Sequence, residues 1–368
     1  MEFNGERKMN KTIIFYAPVG TGVPVHMLGG GEKGCRRTQE ILTNAGYKLN
    51  TVDKPVMGKG AKQYILMAIK AYFKIIISLL ANKNAILYVV GFYEKNVYLE
   101  WLILSTGKML KHKVIYEARN GRLIKAYEDY GKRYKCFMDS ILKKADVIFA
   151  QGLEYIAYIK QSFGKQAVYT PNYVMNRSLL PYEGDRPFDT IKLLYFGRVS
   201  ESKNIDVVLK VAGELVNRGH RTETTIIGGY QEDYKKRLDD LAQKIKLGNV
   251  RFLGQQQFEV IRDELQRAHF FIFPSQEKME GHSNSLTEAM TFGVVPIVST
   301  AGFNASIVSK SELVVADIDY HKYADVVDQI IKDGTWCEYS RFVYERVKEN
   351  YTEDRVRENI LGAIATLE

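Results

Sequence analysis

The densest run of chemistry-bearing residues in the chain is Phe273-Pro-Ser-Gln-Glu-Lys-Met-Glu-Gly-His-Ser-Asn-Ser-Leu-Thr-Glu-Ala-Met-Thr-Phe-Gly-Val-Val-Pro296. An apolar strand pattern ends at Phe273, a polar loop carries Glu280, and the spacing predicts a short helix from Leu286 to Phe292 that Gly293 stops. Glu280 and Glu288 flank the start of that helix, where unpaired backbone N–H groups favour phosphate or sugar oxygens. Ser285-Leu-Thr-Glu288 also reads as a capping box, with Glu288 bonding back to the Ser285 amide, so Glu288 has a structural reading beside the ligand one. His282 is either a titrating group or a loop histidine held by its backbone.

A second cluster is Phe196-Gly-Arg-Val-Ser-Glu-Ser-Lys-Asn204, which follows another apolar run. Arg198 and Lys203 fall in the turn before a helix expected near Ile205. On the carboxyl edge of a sheet they could clamp a diphosphate, Arg198 by a fork of hydrogen bonds and Lys203 as a point charge. Solvated loop cations are the competing reading. A third candidate is Gly29-Gly-Gly-Glu-Lys-Gly34, ahead of a helix, where a ligand can approach backbone N–H groups closely. It lacks the G-x-G-x-x-G spacing of a dinucleotide fingerprint, and a surface loop remains open as its explanation.

These residues need sheets to position them. Apolar runs at Thr12 to Tyr16, Tyr47 to Val52, Ala85 to Val90, Lys113 to Glu117, Val147 to Ala150 and Ala167 to Thr170 alternate with helical patterns. A second series follows at Ile191 to Phe196, Thr224 to Ile227, Val250 to Leu253, Phe270 to Phe273, Val295 to Val298 and Leu313 to Val315. Such alternation predicts an α/β fold of two doubly wound, Rossmann-like domains with parallel sheets. The expected division is 1–175, a Pro- and Gly-punctuated linker, 189–336, and a helical tail at 337–368 that crosses back to the first domain.

The 368 residues, 46% hydrophobic and 26% charged, exclude a disordered chain or a disulfide-stapled miniprotein. Cys35, Cys136 and Cys337 have neither metal-ligand nor redox spacing, which suits a reducing cytoplasm. The net charge of +9 is uneven: residues 1–180 hold 28 Lys and Arg against 13 Asp and Glu, residues 181–368 hold 24 against 30. The first half is therefore expected to meet an anionic partner, or simply to use its charge for solubility. No nucleic-acid-binding module accompanies the charge, and nucleic acid is not an expected partner. Tyr64 to Ala81 is the best candidate for a membrane span, but Lys70 and Lys74, one turn apart, make it an amphipathic helix. Such a helix packs on a sheet or lies in a headgroup layer.

With these residues in view, nearly the whole chain resembles a family 4 glycosyltransferase of GT-B fold. Glu280 and Glu288 reproduce that family's glutamate pair, framed by Phe273-Pro-Ser before and Glu-Ala-Met-Thr-Phe-Gly-Val-Val-Pro after. Gly197-Arg198 with Lys203, Phe252-Leu-Gly254, Gly29-Gly30, Ala145-Asp146 and Pro171-Asn172 fall at further motif positions in the family's order. One departure stands out. Ile115-Tyr-Glu-Ala-Arg-Asn120 occupies the place where many relatives carry a histidine after the fourth strand, and it resembles a Glu-x-Arg-Asp variant with Asn120 for the aspartate. His112 lies too early to substitute.

The resemblance implies two domains facing across a cleft and retention of anomeric configuration, with a UDP- or GDP-linked sugar as substrate and neither metal nor cofactor. It implies that Arg198 and Lys203 bind the donor diphosphate, that Glu280 lies by the donor sugar, and that Glu288 holds the ribose. His282, Ser283, Asn284, Ser285 and Leu286 would offer backbone amides, Gly29 and Gly30 would complete the cleft, and Glu117, Arg119 or Asn120 would meet sugar or acceptor. The expected acceptor is a glycan or lipid-linked glycan in surface polysaccharide or lipopolysaccharide assembly, reached from the cytoplasm at the inner face of the membrane. A noncatalytic nucleotide-sugar-binding or scaffold subunit is the alternative.

Overall fold

The protein is described from a computed structural model, which describes residues 11–24, 28–55, 60–91, 96–119, 121–184, 186–276 and 280–368. The chain divides into two compact units, one holding the residues up to Pro171 and from Val356 to Glu368, the other Asn172–Arg355.

The first unit is built from β1 (Thr12–Ala17), α1 (Gly30–Asn44), β2 (Lys48–Asp53), α2 (Ala61–Ala81), β3 (Ile86–Gly91) and α3 (Asn96–Met109). It continues with β4 (Lys113–Ala118), α4 (Leu123–Lys144), β5 (Val147–Ala150), α5 (Leu153–Phe163) and β6 (Val168–Tyr169). The strands form one parallel six-stranded sheet in the order β2-β1-β3-β4-β5-β6. β3 is buried along its whole length, and β1 and β4 are buried after their first residue. A strand covered on both faces has no solvated side, so its sequence is a continuous apolar run rather than an alternation.

The second unit repeats the plan. Its elements are β7 (Ile191–Phe196), α6 (Ile205–Asn217), β8 (Thr222–Ile227), α7 (Glu232–Lys244), β9 (Val250–Gly254), α8 (Phe258–Arg267) and β10 (Phe270–Phe273). Next come α9 (Asn284–Thr291), β11 (Val295–Ser299), α10 (Asn304–Val308), β12 (Val314–Val315), α11 (Tyr320–Lys332), α12 (Trp336–Asn350) and α13 (Glu353–Ala365). The parallel sheet runs β12-β11-β10-β7-β8-β9. The sequence expectation of two doubly wound α/β sheets is met strand for strand, with ends displaced by at most two residues.

The tail divides. α12 packs in the second unit, where Trp336 Nε1 donates to the His269 carbonyl at 3.0 Å and Ser340 Oγ to the Gly293 carbonyl at 2.6 Å. Only residues from Val356 belong to the first unit; Asn359 Nδ2 donates to the Tyr169 carbonyl at 2.9 Å, and Tyr47 Oη to Glu368 Oε1 at 3.1 Å. The reason is the apolar face of α12, where Trp336, Val343 and Val347 are buried.

Candidate functional site

In an open doubly wound sheet, the crevice for a ligand lies beyond the carboxyl ends of the strands where strand order reverses. In the second unit that point is β7, flanked by β8 on one side and β10 on the other. The loops leaving β7 and β10 carry Arg198, Lys203 and Glu280, so topology brings together what the sequence separates.

β7 hands over to its loop through a close backbone approach. The Gly197 amide donates to the Ile227 carbonyl at 2.9 Å, and a Cβ on Gly228, at φ +151, would sit only 1.6 Å from the Gly197 oxygen. Glycine is required there because no side chain fits between the two loops. Tyr195 Oη then donates to the Arg198 carbonyl at 2.7 Å, which fixes the backbone while the Arg198 side chain is exposed. Burial holds the Tyr195 phenol well above its ordinary pKa; Glu280 adds to that and Arg198 opposes it, so both charges act on one hydroxyl. Among the described residues Arg198 has no ion-pair partner.

Lys203 is in the opposite condition. It ends a single 3-10 turn, Glu201–Lys203, and Asn204, in left-handed conformation, starts α6 while its Nδ2 donates to the Pro274 carbonyl at 2.8 Å. The loop after β10 is sewn to this turn a second time, by the Gln276 amide to the Ser202 carbonyl at 2.7 Å. Between these anchors the Lys203 ammonium pairs with Glu280, both side chains being about a tenth exposed, and lies 5.2 Å above the Phe273 ring. Ser275 Oγ donates to the same carboxylate at 2.7 Å. Gly302, at φ +55, packs from the loop after β11: a Cβ there would come within 2.2 Å of the Glu280 carbonyl oxygen. Sequence reasoning missed Ser275 and Gly302 as supports of Glu280; Ser275 stood in the Phe-Pro-Ser frame, but nothing local pointed to Gly302.

α9 starts two residues earlier than its pattern suggests. Ser283 is the cap, its Oγ accepting from the Leu286 amide at 3.4 Å, so the capping box at Ser285 does not form. Glu288 therefore lies in the second turn, half-buried, on the face shared with Asn284 one turn before it. The amides of Asn284 and Ser285 head the helix with no acceptor among the described residues. This end points toward β7: a Cβ on Gly197 would lie 3.8 Å from Ser285 Oγ. His282 is buried, its carbonyl accepting from Asn172 Nδ2 at 2.6 Å and its ring standing edge-on to Tyr351 at 4.8 Å. Burial, reinforced by Arg346, pushes its pKa down to about 3. It is a neutral prop for the loop, not a group that titrates near neutrality.

In the first unit, Gly29 caps α1 and Gly30 opens it, both exposed. The loop after β1 is braced from two sides. Asp53 accepts from the amides of Val19 at 2.9 Å and Thr21 at 2.7 Å, and Arg36 donates to the carbonyls of Val19, Gly20 and Val23. Glu117 and Arg119 form a buried cluster: Arg119 Nε meets Glu117 Oε1 at 2.5 Å, Tyr88 Oη donates to Glu117 Oε2 at 2.9 Å, and Arg119 Nη2 donates to Thr38 Oγ1 at 3.1 Å. Both charged groups are buried, and Arg119 Nη1 has no hydrogen-bond partner among the described residues. Asn120 lies outside the described residues. Among the described residues no group of His, Cys, Asp or Glu is arranged to hold a metal ion.

Residues 183–350 match the family described as Glycosyl transferases group 1. No curated protein matches the chain. Among solved structures it is similar to sucrose-phosphate synthase from Thermosynechococcus elongatus, with 16% identity and a TM-score of 0.71 over 97% of this chain and 99% of that one. It is similar to Anabaena HepE in complex with UDP, with 12% identity and a TM-score of 0.71 over 97% and 100%. The Escherichia coli trehalose-6-phosphate protein bound with UDP-2-fluoro glucose gives 10% identity and a TM-score of 0.68 over 97% and 99%. In sequence, the second unit is thus similar to group 1 glycosyl transferases, and the two Rossmann-like units together have the GT-B fold.

Proposed function

We propose that the protein is a retaining family 4 glycosyltransferase that moves a hexose-type sugar from a UDP- or GDP-linked donor to a glycan or lipid-linked glycan. The assembly of a surface polysaccharide or lipopolysaccharide, at the inner face of the cytoplasmic membrane, is the setting this reading favours. One observation carries it: an exposed Arg198, the Lys203–Glu280 pair and the open end of α9 gather at the switch point of the sheet, inside the segment similar to group 1 glycosyl transferases. UDP bound to HepE, a structure of the same fold, supports a nucleotide-sugar donor.

In this reading the donor diphosphate takes the fork of Arg198 and the amides of Asn284 and Ser285, and competes with Glu280 for the Lys203 ammonium. Glu280, released on one side but still held by Ser275, turns to the sugar hydroxyls, and Glu288 serves the ribose. The bond from the sugar C1 to the phosphate oxygen breaks while C1 bonds to the acceptor oxygen on the same face. The acceptor's proton passes to the leaving phosphate. Charge then grows on the nucleotide diphosphate, where preorganised cations and amides stabilise it more than they stabilise the bound donor. His282, buried and neutral, takes no proton in this scheme.

A panel of nucleotide sugars tested for thermal stabilisation identifies the donor, because a ligand that binds only the folded state raises its melting temperature. The selected donor should then be turned over with a glycan acceptor, and slowly hydrolysed without one. Tight donor binding with neither transfer nor hydrolysis would instead identify a noncatalytic binding or scaffold subunit.

A further inference from the structure

Among the described residues, helix α2 is packed on one side only. Ala71, Ile75, Ser78 and Leu79 are buried, and Ser78 Oγ accepts from Asn50 Nδ2 at 2.7 Å. Tyr64 Oη donates to Asn96 Oδ1 at 2.6 Å and Tyr72 Oη pairs with Thr106 Oγ1 at 3.0 Å, which ties α2 to α3. The outer face carries Ile65, Leu66, Ile69, Phe73, Ile77 and Leu80, each 48% to 65% exposed. At the helical angle of 100° per residue, these six fall within an arc of about 120°. Exposed Tyr98, Leu102 and Met109, at helical spacing on α3, extend the apolar character. Single exposed apolar residues are ordinary, but a continuous stripe of this length marks a surface that something covers.

Charge identifies what covers it. α2 contains no Asp or Glu, and its three lysines, Lys62, Lys70 and Lys74, are exposed and have no carboxylate partner among the described residues. At the same angle Lys70 falls about 20° beyond one edge of the apolar arc and Lys74 about 60° beyond it, where its Nζ also donates to the Thr51 carbonyl at 3.2 Å; the half of the chain around them has 28 basic residues against 13 acidic ones. A second copy docked by the same face would set lysines against lysines. A span across a bilayer would need α2 to leave the sheet that its inner face is packed on. A layer of anionic headgroups satisfies both features, taking the lysines at the phosphates and the apolar arc below them.

We infer that α2 is an interfacial helix that docks the first unit flat on an anionic lipid surface, with Phe73 and Ile77 at the centre of the inserted face. This goes beyond the transfer reaction and does not depend on it, since docking needs no donor.

The test uses the full chain and vesicle flotation, with equimolar phosphatidylglycerol and phosphatidylcholine compared with phosphatidylcholine alone. The chain should float with the anionic vesicles, and high salt should release it. K70E/K74E should weaken binding roughly tenfold or more, because each lysine near such a surface contributes on the order of a factor of five. F73E/I77E, altered only at exposed positions, should abolish flotation while leaving the melting temperature and its response to nucleotide sugars unchanged. Equal flotation with neutral vesicles, no flotation of the parent chain, or flotation of F73E/I77E like the parent would each overturn the inference. So would sedimentation showing that F73E/I77E converts a dimer to a monomer, which would make the face a contact between copies. Loss of donor binding in the parent chain would count against the proposed reaction alone.

Discussion

Lys203 and Glu280, 77 positions apart in the chain, form an ion pair at the switch point of the second sheet, with Ser275 holding the same carboxylate. The two cations of the site are therefore in different states. Lys203 is already paired and nearly enclosed, whereas Arg198 is exposed and has no ion-pair partner among the described residues.

That difference separates catalysis from stability. R198A should lower kcat/KM by about 10²–10³, the effect of removing one donor to a developing anion, while its stability stays within about 0.5 kcal/mol of the parent. K203A should lower activity too, but it leaves the Glu280 carboxylate enclosed and unpaired, and should cost about 3 kcal/mol of stability. Initial rates beside urea denaturation of both variants check this. An R198A protein as unstable as K203A, or as active as the parent, would contradict the assignment.

The buried histidines should give stability a pH dependence. Burial, with Arg186 and Lys192, pushes His269 down to about 4, and burial with Arg346 pushes His282 down to about 3. In the unfolded chain both protonate near the ordinary value of about 6.5. Between that value and the native ones the unfolded state binds more protons, so stability is complete above about pH 6.5 and is lost as pH falls below it. Urea midpoints measured from about pH 7.5 down to about pH 5 should show the decline, and H282Q or H269Q should each flatten it. The slope is the readout, because either substitution also changes packing. A slope unchanged in both variants would show that the histidines are not held neutral.

Glu117 and Arg119 should behave as one structural unit. Removing either partner, as in E117A or R119A, should cost about 3–5 kcal/mol by leaving a buried charge alone. The double replacement E117M/R119M should cost much less than the sum, with a coupling of about 1–3 kcal/mol in the double-mutant cycle. Were additivity found, and were E117A to lower kcat with stability intact, Glu117 would be a substrate group rather than a partner of Arg119.

Much of this was legible in the chain itself. The apolar runs of β7 and β10 marked both strands because strands buried on two faces need unbroken hydrophobic sequence, and Arg198 and Glu280 stood out as charges just beyond them. The start of α9 was less legible. Ser283 and Ser285 are both good caps, and the choice fell to the earlier one, whose side chain and carbonyl satisfy the amides of Leu286 and Thr287. The α2 pattern was ambiguous for a physical reason: a helix on a sheet and a helix in a headgroup layer share one periodicity, and α2 buries one face and leaves the other open.

Sequence alone determined the order of strands and helices, the residues at the strand ends, and the basic bias of the first half, because propensity, burial pattern and charge are local properties. Only tertiary structure decided that Lys203 is held by Glu280, that Glu117 is closed against Arg119, that Gly302 backs the Glu280 carbonyl, and which face of α2 stays uncovered. Lys203 and Gly302 meet Glu280 from distant parts of the chain, and Glu117 and Arg119, two positions apart, are enclosed by Tyr88 and Thr38 from other elements. Such partners are chosen when sheets and loops bring them within a few ångströms, and no reading of neighbours along the chain contains that choice.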